Sequence, residues 1–191
     1  MMENMIESNP WIISDTHFGH NNIIKYCSRP QNHNEIMIRQ WAGTVGDNED
    51  ILHLGDVWFA GRNDIAHWIR TISDLPGNKY LIKGNHDGSS YPFKSAGFTI
   101  LQPFIWKDIA FTHRPISSIS LGKNSLRFSL EEWKINIHGH THDRNFDEAS
   151  DRDGHPIAGK IYVNASVEKI NYSPIRLSDL LVNKGNENAA I

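Results

Sequence analysis

The stretch INIHGHTH, residues 135–142, ends an apolar-polar alternation in three histidines: His138, His140 and His142. Residues two apart share one face of a strand, so the run points a row of imidazoles in one direction. Two readings fit that spacing. One is a polar strand end at the surface; the other is a metal site. The remainder of the chain has to choose between them.

Similar strand ends recur upstream. SDTHFGH (14–20), HLGDVW (53–58), KGNHDG (83–88) and FTHRP (111–115) each follow an apolar run and carry Asp, Asn or His, mostly beside glycine. Glycine permits sharp turns and close approach of ligands. In sheets with helical crossovers, sites form beyond the carboxyl ends of the strands. Pooling these ends collects Asp15, His17, Asp56, Asn85, His86, His113, His140 and His142. That is too many donors for one ion and suits two. Carboxylate, amide oxygen and imidazole without sulfur favour manganese, iron, zinc, cobalt or nickel over calcium or magnesium. Two divalent ions outweigh two aspartates and a bridging hydroxide, so the site would draw an anion, with phosphoryl oxygens the obvious guest.

Between these ends the pattern alternates. PWIISD (10–15), DILHLGDVWF (50–59) and NKYLIKGNHD (78–87) read as strands. Residues 33–45 read as an amphipathic helix with Ile36, Ile38, Trp41, Ala42 and Val45 on its apolar side, and 61–73 as another with Ile65, Trp68, Ile69 and Ile72. From residue 97 onward the chain is strand-rich, including 159–168 and 173–182. This predicts an α/β fold, with crossovers feeding a partly antiparallel sheet. One domain over 1–182 and a frayed polar tail over 183–191 are expected.

Composition narrows the function classes. Nineteen Lys and Arg against 22 Asp and Glu leave a formal charge of −3. A protein that coats nucleic acid or anionic membranes is usually basic. Cys27 is the one cysteine, which excludes an internal disulfide and a thiolate cluster. No secretory h-region or membrane-length apolar run is present, so a cytoplasmic protein is expected.

The ordered set Asp15-Thr16-His17, Gly55-Asp56, Gly84-Asn85-His86-Asp87, His113 and Gly139-His140-Thr141-His142 resembles the calcineurin-like metallophosphoesterase superfamily. Each motif alone is weak; five in order are specific. The opening SDTHFGHNNIIKYCSRP is similar to small bacterial and phage members, with one departure, Phe18 standing between His17 and Gly19. The resemblance implies a four-layer α/β/β/α sandwich of two mixed sheets flanked by helices, with a dinuclear metal site at the strand ends. It implies that Asp15, His17 and His142 hold one ion, that Asn85, His113 and His140 hold the other, and that Asp56 bridges them. Gly139 would free the turn between the histidines. His86 would face the substrate and protonate the leaving oxygen, and Asp87 would orient His86.

The function implied is metal-dependent phosphoester hydrolysis, a bridging hydroxide attacking phosphorus. Two Mn²⁺ ions are the first expectation, with Fe²⁺, Zn²⁺, Ni²⁺ or Co²⁺ as alternatives. A short chain leaves little room for a lid, which leans the substrate toward phosphodiesters such as nucleotides or nucleic acid. A phosphomonoesterase is the alternative, and a metal-binding interaction scaffold is a further one. His20 and Arg114 are the candidate substrate contacts, and Arg29 is a weaker one. Trp58 is read as core in preference to a base-stacking ring, and His53 as a satisfied core histidine. His138 is read as structural or as a support behind the ligands, His33, His67 and His155 as surface or helix residues, Cys27 as buried packing, and 147–154 as a solvated loop.

Overall fold

The computed structural model describes residues 2–61, 63–117, 129, 131–146 and 154–188, with side chains described to residue 182. In chain order the elements are α1 (Met2–Glu7), β1 (Trp11–Ile13), α2 (Ile23–Tyr26), α3 (His33–Thr44), β2 (Asp50–His53), α4 (Ile65–Ser73) and β3 (Asn78–Ile82). There follow α5 (Ser90–Ser95), β4 (Thr99–Leu101), β5 (Phe104–Trp106), β6 (Ile109–Phe111), β7 (Ile135–His138), β8 (Ile161–Asn164), β9 (Ile175–Arg176) and α6 (Leu177–Asn188). Most of the expected loop 115–133 and all but Gly154 of the acidic stretch 147–154 lie outside the described residues.

The strands form two mixed sheets, as expected. One has the order β4-β3-β2-β1-β9; the other is β5-β6-β7-β8. In the first, β1 to β4 run parallel and β9 antiparallel. In the second, a β5-β6 hairpin precedes parallel β6, β7 and β8. Parallel strands bury both faces, which is why Ile12, Ile13, Ile51, Leu52, Leu81, Ile82, Phe111 and Ile137 are at or near zero exposure. One apolar cluster takes residues from both sheets and the helices around them.

Two elements differ from their sequence reading. Helix α3 buries His33, Met37 and Trp41, spaced four apart, while Ala42 is exposed and Ile36 and Ile38 are half-buried. The buried stripe is therefore rotated from the one expected, and His33 is a core residue with Nδ1 at 3.2 Å from the Pro30 carbonyl. Residues 173–182 are not a single strand. Only Ile175 and Arg176 pair with β1, and a helix follows directly. Among its described side chains Leu177 and Leu180, three apart, are buried, a helical spacing that a short apolar run hides. Among the described residues no helix is long and apolar enough to cross a membrane.

The sheets meet at their carboxyl ends. Ser14, just past β1, bridges Ser166, past β8, and the Val167 N–H donates to the Ser14 carbonyl at 3.1 Å. The Gly139 N–H donates to the His113 carbonyl at 2.9 Å. The loops after β1, β2, β3, β6 and β7 thus converge on one edge of the sandwich.

Candidate metal centre

Two donor groups occupy that edge. Asp15, His17 and His142 bring ligand atoms within 4.8 Å of one another, and so do Asp56, His113 and His140. Asn85 joins the second, its Oδ1 at 3.1 Å from His113 Nε2. Asp56 Oδ2 lies between the groups, 3.6 Å from His17 Nε2 and 3.4 Å from His113 Nε2. One carboxylate oxygen, Asp56 Oδ2, thus stands at the seam of the two groups.

The backbone delivering these residues is unusual. Asp15, His17, Asp56, His140 and His142 all have positive φ, between 48° and 69°. Such non-glycine conformations cost free energy and persist only where the surroundings enforce them. Here hydrogen bonds enforce them. The Asp15 and His17 N–H groups donate to the carbonyls of Gly55 and Asp56, each at 3.0 Å. Glycine serves close approach at this edge. A Cβ on Gly84 would collide with the Asp56 carboxylate, and one on Gly139 with Asp15 Oδ2 and Ser14 Oγ. Gly139 itself lacks a positive φ, so the expectation that it frees the turn is corrected: its hydrogen makes room for Asp15.

Several side chains have one polar atom tied to protein and another left facing the centre. Asp15 Oδ2 accepts from the His140 N–H at 2.8 Å and from Ser166 Oγ at 3.1 Å, while Oδ1 is buried without a hydrogen-bond partner. Asp56 Oδ1 accepts from the His86 N–H at 2.9 Å, leaving Oδ2 at the seam. His142 Nδ1 bonds Glu168 at 3.1 Å. His113 Nδ1 faces the Leu54 carbonyl at 2.8 Å, which fixes its proton there and turns Nε2 toward two oxygens, those of Asn85 and Asp56. A lone pair facing two oxygens needs a cation or a proton between them. Both ring nitrogens of His17 are buried without a hydrogen-bond partner. Buried polar atoms without partners are costly, and divalent cations are the partners this donor set fits.

The titration of these groups follows from burial. Desolvation holds His17 down at about 2 despite the Asp56 carboxylate, so its ring is neutral and its lone pair available. Burial opposes charge on His142 as well, but hydrogen bonds with Cys27 and Glu168 and the charge of Asp15 lift it to about 10. Burial also pushes Asp56 up, yet hydrogen bonding and charge from His113, the charge of His17 and the His86 N–H hold it below the carboxylate range.

Glu168 carries no motif and the sequence reading missed it. Its buried carboxylate takes Arg29 Nη2 at 2.6 Å and Nε at 2.8 Å beside the His142 contact. Arg29 also donates to the carbonyls of Asp15 at 2.6 Å and Thr16 at 2.7 Å. Arg29 is therefore a buried support of the first loop, which corrects its reading as a substrate contact. Its saturation with carbonyls and a carboxylate is the physical reason. Cys27 is buried beside His142 and Glu168, its sulfur within 4.8 Å of their ligand atoms.

The remaining candidates divide. Asp87 Oδ2 accepts from the N–H groups of Asp56 at 2.7 Å and Gly84 at 2.8 Å, and Oδ1 from Val57 at 3.0 Å. It clasps two site loops, so whatever orientation it gives His86 runs through the backbone. His86 is exposed, its ring 5.5 Å from that of His17. His20 is half-buried, 5.7 Å from His17 by ring centroid. Arg114 is exposed, and its carbonyl accepts from Thr112 Oγ1 at 2.6 Å. Trp58 is core, stacked on Phe93 at 4.2 Å. His53 is buried: Nδ1 accepts from the Gly55 N–H at 3.1 Å, and Nε2 lies 3.0 Å from Thr16 Oγ1. His138 is buried against Phe146 and Tyr162.

Residues 10–166 match the calcineurin-like phosphoesterase superfamily domain. The chain is 33% identical over 178 residues to an uncharacterized protein of Methanocaldococcus jannaschii, covering 90% of this chain and 88% of that one. It is 27% identical over 165 residues to the gene 66 protein of Mycobacterium phage L5, covering 71% and 78%. A crystal structure of a protein of unknown function from Aquifex aeolicus matches its fold with a TM-score of 0.69 at 27% identity, over 89% of this chain and 96% of that one. With the family's motifs folded onto one edge of two mixed sheets, this chain belongs to the calcineurin-like phosphoesterase superfamily.

Proposed function

We propose that this member is a two-metal phosphodiesterase. The observation that carries the reading is the placement of Asp56 Oδ2 between His17 and His113, at the seam of two donor groups. Asp15, His17 and His142 would hold one ion, Asn85, His113 and His140 the other, and Asp56 both. Imidazole, carboxylate and amide oxygen suit Mn²⁺ first, with Fe²⁺, Zn²⁺, Ni²⁺ and Co²⁺ as alternatives. When bound, such a pair lowers the pKa of a water nucleophile and offsets charge on the phosphoryl oxygens.

The protein's own groups supply the rest. Ser166 and the His140 amide fix the Asp15 carboxylate, and the His86 amide fixes that of Asp56. The same short loop then presents the His86 ring at the mouth, where it gives a proton to the departing oxygen. Asn85 and His86 are both exposed, so the mouth admits a large ester. A monoester dianion calls for more positive charge than a diester, and Arg29 is committed to buried carbonyls and Glu168. His20 and Arg114 are the proposed contacts for a single negative charge.

The test is hydrolysis of bis(p-nitrophenyl) phosphate beside p-nitrophenyl phosphate, with Mn²⁺, for the wild type and Asp56→Asn. Faster diester cleavage, abolished in the variant, is expected. Preference for the monoester would make the protein a phosphatase. Cleavage of neither by metal-loaded protein would favour an interaction scaffold.

A further inference from the structure

Four rings form a closed circuit beside the metal centre. Centroid separations are 5.7 Å from His17 to His20, 4.5 Å from His20 to Phe59, 5.3 Å from Phe59 to His86 and 5.5 Å from His86 back to His17. Tyr26 extends the line outward, 6.1 Å from His20. Phe59 and Tyr26 are among the few large apolar side chains left in solvent among the described residues, at 47% and 71% exposure. A scattered exposed ring needs no explanation. These two flank one histidine, and they meet the circuit that contains both a candidate ligand, His17, and the candidate proton donor, His86.

The local chain explains why Phe59 faces out. The Phe59 N–H donates to the Phe18 carbonyl at 3.1 Å, and Trp58 pairs in a bridge with Phe18. Alternation across that bridge sends Trp58 into the core and Phe59 the other way. Between the two exposed rings, His20 Nδ1 is buried without a hydrogen-bond partner among the described residues. The feature is thus two solvent-exposed rings on either side of His20, one ring contact from the proton donor. An aliphatic ester group would use the rings poorly. A flat heterocycle can stack on them.

We infer that Phe59 and Tyr26, with His20 between them, form a shoulder that binds the nucleobase of a nucleoside phosphoester whose phosphate lies at the metal centre. The assignment rests on the phosphodiesterase reading and adds the substrate class to it. Phe59 is the inner support, in contact with His86, and Tyr26 the outer one.

The test uses two esters with the same leaving group, thymidine 5′-(p-nitrophenyl phosphate) and methyl p-nitrophenyl phosphate, with the Mn²⁺-loaded protein. Base stacking on an aromatic side chain predicts that kcat/KM favours the thymidine ester by about 5-fold to 140-fold. Phe59→Ala and Tyr26→Ala should bring the ratio toward one, and Phe59→Tyr should keep it. No wild-type preference, or a ratio unmoved by both alanine variants, overturns the shoulder. If neither ester is cleaved, the phosphodiesterase reading fails and binding decides the shoulder separately. Thymidine 5′-monophosphate bound more weakly by Phe59→Ala, with inorganic phosphate bound equally, supports it; equal binding of the nucleotide overturns it.

Discussion

Arg29 and Glu168, 139 residues apart in sequence, form a buried ion pair at 2.6 Å, and each partner also holds part of the metal centre. Arg29 grips the carbonyls of Asp15 and Thr16; Glu168 grips the His142 imidazole. All three residues so held belong to or adjoin the same donor group. The pair therefore couples the first loop of the chain to the last site histidine.

Removing one partner of this pair should be expensive. A buried charge left without its partner typically costs about 3–5 kcal/mol, so Arg29→Ala should lower the unfolding free energy by about that much. Glu168→Gln keeps shape but weakens the hold on His142, and loss of such an outer contact typically costs about 10–100-fold in metal affinity. Denaturant unfolding and metal titration check the two effects. Wild-type stability in Arg29→Ala would show that the pair contributes nothing.

His86 should be separable from metal binding. His86→Ala removes a ring that belongs to neither donor group. Turnover of esters with poor leaving groups should fall about 10²–10⁴-fold, with metal content at wild-type stoichiometry. Esters with good leaving groups need less protonation and should lose less. A variant that loses metal would move His86 from proton donor to ligand.

Two glycines should matter to the metal more than to the fold. Gly84→Ala would press a methyl group into the Asp56 carboxylate, and Gly139→Ala one into Asp15. Each should lower metal content while circular dichroism stays close to wild type. Gly43→Ala, where a Cβ in the last turn of α3 meets nothing within 4 Å, serves as the control and should not destabilise. Full metal occupancy in Gly139→Ala would show that Asp15 moves aside freely.

Acid sensitivity should trace in part to His53. Burial of the ring holds its pKa down at about 3, the Asp56 charge opposing and the His113 charge assisting. The unfolded state takes up a second ring proton near the ordinary value of about 6.5 and the folded state does not. Stability from this group is thus complete above about pH 6.5 and declines as the pH falls toward 3. His53→Gln should flatten that decline while starting from a lower stability at pH 7. Melting temperatures measured from pH 7 to pH 4 decide it; parallel curves for the two proteins would assign the acid loss elsewhere.

Much of the site was legible in sequence because each of its loops follows an apolar strand with a short polar motif. Order and spacing were enough to pool these strand-end donors, the family resemblance implied their division between two ions, and the folded chain brings Asp15, His17 and His142 together and Asp56, His113 and His140 together, with Asn85 beside His113. Local patterns failed where the deciding contact was distant. Helix α3 presents His33, Met37 and Trp41 to the core because of what it packs on, and its apolar residues alone pointed to another face.

The sequence by itself determined the α/β class, the strand ends that carry polar groups and the family motifs. Tertiary structure alone decided which atoms are tied and which are left for an ion. It turned Arg29 inward, brought the motif-less Glu168 to His142, and left Phe59 open beside buried Trp58. The reason is physical. Motifs record side chains that meet within a few residues of backbone, whereas buried charges and exposed rings are set by partners more than a hundred residues away or by which side of a bridge a residue falls on.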